Sequence, residues 1–359
     1  MLTCCGADKW EPDQFGELIS LIHESKYESA TPQGASGERC LLKLPRTKLP
    51  VRILFEKATS KLTVPYKYEN QLVYELADVE IDDKCTTVLV SRELEDVYFP
   101  RIAGVIALIE VFTFSYPAVR SIRFSVALGD LEREGQSLSF SSCGSDDLLL
   151  PDPYFIMTRG YEQERTTYAQ HPVAWIERIN KAYWRGSASG FMPSDITKSP
   201  RIAVALACKN YEHLFNVALV GGGGTELPSL LTKIGVLGEK EPQERILDYK
   251  YQIDIDGYSN AWVGFFLKLL TGSPVLKINS EFGYRQWYYW RLIPWVNYVP
   301  VNSNLSDLVT NLEALRNDVD LAKNIGARGR ELALALTYES QLKIGAAAIL
   351  KNVRTVVNL

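Results

Sequence analysis

The chain has 359 residues, 46% of them hydrophobic and 23% charged, with a formal net charge of −4. That length suits two domains of ordinary size, and the apolar share is enough to build real cores. With no broad basic field, nucleic acid is not expected as the main partner. The six cysteines, at positions 4, 5, 40, 85, 143 and 208, follow no disulfide or zinc spacing. Cys4-Cys5 reads as an ordinary terminal pair, and His23, His171 and His213 form no ligand motif.

Residues 1–10 show no basic segment followed by an apolar run, so no secretory signal is expected. A cytoplasmic protein with reduced thiols is the matching expectation. Phe15, Leu18, Ile19 and Ile22 recur at helical spacing. Lys43, Arg46, Lys48 and Arg52 form a basic stretch, readable as a peripheral contact with an inner membrane or as a solvated strand edge. Strands are expected at residues 51–55, 86–90 and 122–128, the last ending at Gly129-Asp130. Residues 102–114, interrupted by Glu110, predict a buried helix too short to span a bilayer. Residues 144–161, with Pro151, Pro153 and Gly160, read as a crossing between halves.

Beyond residue 182 the rhythm is regular. Short apolar runs fall at 182–184, 202–206, 215–220, 251–255, 274–278 and 296–301, with helical segments at 262–270, 305–316 and 320–336. Strands alternating with helices predict a parallel sheet covered on both faces. Residues 338–353 add one more amphipathic helix. Ligands of such sheets bind beyond the carboxyl ends of the strands. Two turns rich in small residues fall there: Arg185-Gly186-Ser187 and Asp256-Gly257-Tyr258-Ser259-Asn260. Small residues let backbone amides approach a phosphate, and a helix opening after the second turn would add positive charge. Asp254 and Asp256 share one face of a strand, a spacing that can hold a divalent metal with a nucleotide diphosphate. The glycine run from Gly221 to Gly224 continues into neither phosphate-loop fingerprint and reads as a mobile rim.

Three blocks carry a resemblance to a known family. They are the run Tyr183-Trp184-Arg185-Gly186-Ser187-Ala188-Ser189-Gly190; the run from Tyr251 to Trp262, continued by residues 268–277; and the run from Trp287 to Val301, followed by Leu305-Ser306-Asp307-Leu308. In order and spacing they resemble glycosyltransferase family 90. The phrasing around Asp256 is similar to the bacterial lipopolysaccharide and capsule branch. More thinly, residues 122–130 and the run Pro151-Asp152-Pro153-Tyr154-Phe155 with Gly160 and Tyr161 resemble the family's acidic strand end and the segment leading to its donor cleft.

The resemblance implies an α/β, GT-B-like fold with two Rossmann-like domains facing across a cleft. Residues 1–165 would form the acceptor-side domain, joined by helix 338–359, and residues 166–337 the nucleotide-sugar-binding domain. The implied activity is inverting, metal-independent transfer from a UDP-sugar to a hydroxyl of a glycan or glycolipid, with no further cofactor. Asp130 is the implied base. Gly186, Ser187, Ala188 and Ser189 are implied at the donor, with Asp256, Gly257, Tyr258, Ser259, Asn260, Ala261 and Trp262 along the nucleotide. Arg185 either meets the diphosphate or pairs with an acid inside the fold. Two family arginines have no counterpart, since Phe191-Met192-Pro193 and Trp262-Val263-Gly264-Phe265 stand in their neighbourhoods. Arg185, Arg201, Lys277 and Arg285 are the candidate replacements. The aromatic run from Trp287 to Trp290 reads as packing, with a carbohydrate platform as the sharper alternative. A sugar-nucleotide-binding protein without activity is the alternative for the whole chain.

Overall fold

The computed structural model describes residues 12–28, 41–42, 50–56, 76–82, 84–119, 121–130, 137–144, 146–190, 193–221 and 226–357. Cys4-Cys5, Lys43, Arg46, Lys48, Phe191-Met192 and Gly222 to Gly224 lie outside them. The chain divides into two compact units, one made of Met1–Tyr161 with Thr337–Leu359 and the other of Glu162–Leu336.

In the first unit, helix α1 (Pro12–Glu28) precedes strands β1 (Leu41–Leu42), β2 (Val51–Glu56), β3 (Leu76–Ile81) and β4 (Thr86–Ser91), helix α2 (Phe99–Ser115), strand β5 (Ile122–Ala127) and the short helix α3 (Pro153–Met157). The sheet order is β1-β2-β4-β3-β5, with β2 and β4 parallel and the other pairs antiparallel. Strand β3 has no counterpart among the expected elements. Its burial alternates cleanly, but Ala77, Asp78 and Glu80 are weak strand formers and hide the pattern. The Asp82 carboxylate closes the turn into β4 by accepting from the amides of Lys84 (2.7 Å) and Cys85 (2.8 Å).

Helix α2 is the core of this unit. The segment Asp96–Ser115 is long and apolar enough to cross a membrane, yet 72% of its most apolar window is buried inside the protein. The chain's last helix, α10 (Tyr338–Val357), returns to pack on α2, with Gly345 against Leu108.

Asp152 caps α3 by accepting from the Tyr154 amide at 2.7 Å, and it also accepts from the Tyr161 hydroxyl at 2.8 Å. Tyr161 is itself buried, so this expected cleft residue serves as an internal partner. Gly160 lies beside the Phe155 ring and the Tyr338 backbone, also inside the unit.

The second unit runs through helix α4 (Glu162–Gln170), strand β6 (Ile179–Gly186), helix α5 (Pro200–Lys209), strand β7 (Phe215–Leu219), helix α6 (Glu226–Ile234), strand β8 (Tyr249–Asp254), helix α7 (Gly264–Leu270), strands β9 (Val275–Ile278) and β10 (Val299–Val301), and helices α8 (Leu308–Asn317) and α9 (Val319–Ala335). All strand pairs are parallel, in the order β10-β9-β8-β6-β7. This is the Rossmann-like sheet of the GT-B-like expectation. Strand β9 is buried at all four positions, as a strand covered on both faces must be. Helix α9 turns Ala322, Ile325, Gly326, Gly329, Leu332 and Ala333 inward at helical spacing. Gly326 lets it touch the Gly272 backbone, where a Cβ would collide.

One expected strand is a helix. Residues 202–206 lie in α5, which Ser199 and Pro200 open as N-cap and first helical residue. A short apolar run cannot by itself separate a buried strand from a buried helix, and the Ser-Pro start signal decides it.

Burial pushes the Asp152 carboxyl up to about 6 from an ordinary 3.8, against the hydrogen bonds from Tyr161 and Tyr154. A raised carboxyl contributes stability below about pH 4 that is lost as pH rises through about 6. Asp152→Asn keeps the acceptor and removes the ionisation. Relative to wild type, the variant is therefore expected to gain about 2–3 kcal/mol between about pH 4 and pH 7.5 in urea unfolding. A pH-independent difference between the two proteins would show that Asp152 is solvated.

Candidate donor-binding site

Strand β6 is followed in the chain by β7 on one side of it and by β8 on the other. The sheet thus changes direction at β6, and the carboxyl ends of β6 and β8 border the crevice where doubly wound sheets bind ligands. The serine turn leaves β6 at this point, and the Asp256 turn leaves β8.

Arg201, in the first turn of α5, ties the two turns together. Its Nη1 donates to the Ser187 carbonyl (3.0 Å) and the Ser189 hydroxyl (2.8 Å), while its Nε donates to the Asp256 carbonyl (3.1 Å). The guanidinium also lies 5.8 Å from the Trp184 ring centroid. The Ser187 and Ser189 hydroxyls are 2.9 Å apart and exposed. Gly190, at φ +124°, lets this turn approach Gly257, whose carbonyl oxygen would stand 2.7 Å from an added Cβ. Ala188 and Gly186 serve the frame: the Ala188 amide donates to Gly221, and the Gly186 carbonyl accepts from Val220.

Residues 256–262 are braced from behind. The Gly257 amide donates to the Ser259 carbonyl (2.9 Å), and the Ala261 amide to the Ser259 hydroxyl (3.2 Å). The Asn260 side chain donates to the Tyr284 carbonyl, and the Gln286 amide to the carbonyls of Asn260 and Trp262. Ser259 and Asn260 are buried, whereas the Tyr258 ring is 45% exposed. Trp262 adopts φ +79°, and α7 begins two residues later. Beside this turn lies a recess lined in part by Tyr258, Asn279, Ser280, Glu281, Phe282 and Tyr284. The last five follow β9. In the sequence they read as an unmarked loop, and only their place after a parallel strand signals a ligand-facing position.

Beneath the turn, the Lys277 ammonium sits 3.0 Å from the Asp254 carboxylate and 3.2 Å from that of Asp256, and Lys268 reaches Asp254 at 2.7 Å. The Lys277 side chain is 7% exposed and lies near the rings of Phe265 and Tyr289. Burial alone would lower its pKa, but Asp256 and Asp254 hold it well above the ordinary lysine value. Burial would likewise raise Asp254, yet Lys268 and Lys277 hold it well below the usual carboxylate range. Burial, reinforced by the two carboxylates, pushes the Tyr289 hydroxyl far up.

The candidate cations therefore separate. Arg201 is at the turns. Lys277 is committed to the aspartates below them. Arg185 is on the other face of β6, where it donates to the Asn216 carbonyl (3.0 Å) and side chain (2.7 Å) and lies 3.9 Å from Glu241. This is the internal pairing with an acid. Arg285 is half-buried between Tyr284 and Gln286, behind the second turn. Asp130 belongs to the first unit. Its carboxylate lies just beyond β5, 3.3 Å from Arg101, which also donates to the Leu128 carbonyl at 2.7 Å.

The sequence profile described as Glycosyl transferase family 90 matches residues 158–339, just over half of the chain. The chain belongs to glycosyltransferase family 90. It is 29% identical over 231 residues to protein O-glucosyltransferase 2 of Danio rerio, covering 59% of this chain and 43% of that protein. Human protein O-glucosyltransferase 3 is 28% identical over 170 residues, covering 47% and 31%. Uncharacterized protein 035R of invertebrate iridescent virus 3 is 34% identical over 154 residues, covering 40% and 14%. The chain thus spans less than half the length of each of these relatives. Among solved structures, Anabaena Alr3699/HepE in complex with UDP-glucose aligns at 12% identity and TM-score 0.36, covering 76% of this chain and 78% of that one.

Removing Lys277 leaves the Asp256 carboxylate without this ion pair and Asp254 with Lys268 alone. Lys277→Met is expected to destabilise the protein by about 3–5 kcal/mol in urea unfolding. A loss below about 1 kcal/mol would mean that the pair is hydrated and contributes as a surface pair does.

Proposed function

We propose that the chain is an inverting glycosyltransferase that moves a sugar from a UDP-sugar to an acceptor hydroxyl. The observation that carries this reading is the Arg201 bridge, which sets a guanidinium and two serine hydroxyls at the direction change of a parallel sheet. A departing diphosphate needs positive charge and donors held in place before it leaves. Arg201, Ser187 and Ser189 would supply them, with the nucleoside in the recess beside Tyr258. Metal independence is supported by the pairing of Asp254 and Asp256 with lysines, which occupies the carboxylates a divalent ion would need.

Asp130 is the proposed base that takes the acceptor's proton, oriented by Arg101. The proposed acceptor is a hydroxyl of a lipopolysaccharide or capsule precursor, modified in the cytoplasm with peripheral contact to the inner membrane. The names of the animal relatives favour a protein hydroxyl as the second reading, and an acceptor panel separates the two.

The test is hydrolysis and transfer with a panel of UDP-sugars. Asp130→Asn is expected to lower kcat with a confirmed acceptor by about 10²–10⁴-fold while leaving donor binding intact. Arg201→Ala removes charged hydrogen bonds and should weaken UDP binding about 10–100-fold in calorimetry. Donor binding without turnover under every acceptor would favour a sugar-nucleotide-binding protein. Wild-type turnover by Asp130→Asn would remove that residue from the chemistry.

A further inference from the structure

The chain between β9 and β10 starts at the donor end of the sheet and ends at the opposite one, because the two strands are parallel. Its first residues line the recess. Its last residues, 290–298, enter β10 from the far end and build a separate feature. Trp290 is 67% exposed, Ile293 53%, Val296 44% and Trp295 38%. Trp287, Tyr288 and Tyr289, just before them, are buried, so the aromatic run divides into a packed base and an outward tip.

The tip is rigid. Buried Asn297 accepts from the Ile293 amide (2.8 Å) and donates to the Arg291 carbonyl (2.9 Å). The Trp295 amide donates to the Tyr298 carbonyl (2.8 Å), and the Val296 amide to that of Ile293 (3.1 Å). Trp295 is held at φ +62°, a conformation that costs energy in a bulky residue. More than a third of its surface nonetheless stays exposed, so the burial that would offset this cost is incomplete within the unit.

The tip itself, residues 290–298, carries Arg291 and no aspartate or glutamate. The Arg291 guanidinium lies 5.9 Å from the Trp290 ring centroid. Gly329 of α9 packs on the Asn297 carbonyl, and the exposed Arg330 next to it lies against Gly272, just before β9 and so at the same end of the sheet as the tip. Tryptophans beside aliphatic side chains and arginines match the interfacial region of a bilayer, where the indole is half solvated and the cation meets lipid phosphate. A fixed loop also loses little entropy on insertion.

We propose that Trp290, Ile293, Trp295 and Val296 form a tip that docks the second unit on an anionic lipid surface. It lies at the end of the sheet away from the donor turns, so the docked protein keeps its donor entrance off the bilayer. The inference deepens the peripheral membrane contact in the functional reading, but it stands on different residues from the basic stretch around Arg52. Its readout is independent of turnover.

The test is co-sedimentation of the full chain with vesicles of phosphatidylcholine alone, and of phosphatidylcholine with an equal part of phosphatidylglycerol. Wild type is expected to bind the anionic vesicles more tightly, and more weakly at high salt. Trp290→Ala/Trp295→Ala should lower the partition coefficient at least about tenfold, since each indole buries apolar surface worth more than a factor of ten. The double variant should keep the wild-type Tm and UDP-sugar hydrolysis. Equal vesicle binding by the two proteins overturns the proposal. So does failure of wild type to bind, including the case in which the tip instead joins two copies of the chain in sedimentation velocity.

Discussion

Lys277 stands in the middle of a strand whose every position is buried, where an unpaired ammonium would be costly enough to lose its proton. Its contacts with Asp254 and Asp256 remove that penalty, and they tie β9 to the end of β8. The Asp256 turn thus begins from a fixed point. Lys268, from the helix that follows the turn, takes the other Asp254 oxygen, so both ends of the turn close on one carboxylate. A buried ion pair of this kind gives little net stability over an apolar core, but it fixes geometry. Here the geometry fixed is that of the loop expected to carry the nucleotide.

The upper side of the same loop is held by different chemistry. Arg201 offers its donors in a planar fork, which suits two backbone carbonyls and a hydroxyl at once. The two cations therefore divide the work. One neutralises buried carboxylates below the turn, and the other joins two loops at the surface, where a diphosphate could exchange with part of its hydrogen bonding.

Much of this was legible in the sequence. The alternation of strands and helices beyond residue 182 predicts the parallel sheet, and small residues mark both turns. The roles of the cations were not legible, because a motif fixes the position of a residue along the chain but not the face it occupies. Arg185 and Trp184 are neighbours in one strand and point to opposite sides, so the arginine inside the motif turns away and Arg201, fourteen positions after Ser187, takes its place. Reading 202–206 as a strand concealed this, since only a helix starting at Pro200 aims Arg201 at the crevice. Strand β3 was missed for a compositional reason: Asp78 and Glu80 lie on the less buried face of an inner strand, and they lower its strand propensity.

The distribution of charge also bears on the proposed transfer reaction. Among the described residues at the two turns, the acidic groups are neutralised within the protein, which leaves a guanidinium and hydroxyls facing the crevice. A metal ion would concentrate two positive charges on the diphosphate. Under the proposed function the two turns would offer one delocalised charge supported by neutral donors, so stabilisation of the leaving group would depend on how well those donors are held. That makes the braces behind the turn, Asn260 and Gln286, as consequential as the residues in front. It also explains why a loop of small, polar residues is built on a base of buried aromatics: Phe265, Tyr288 and Tyr289 supply a stiff floor that hydrogen bonds alone would not.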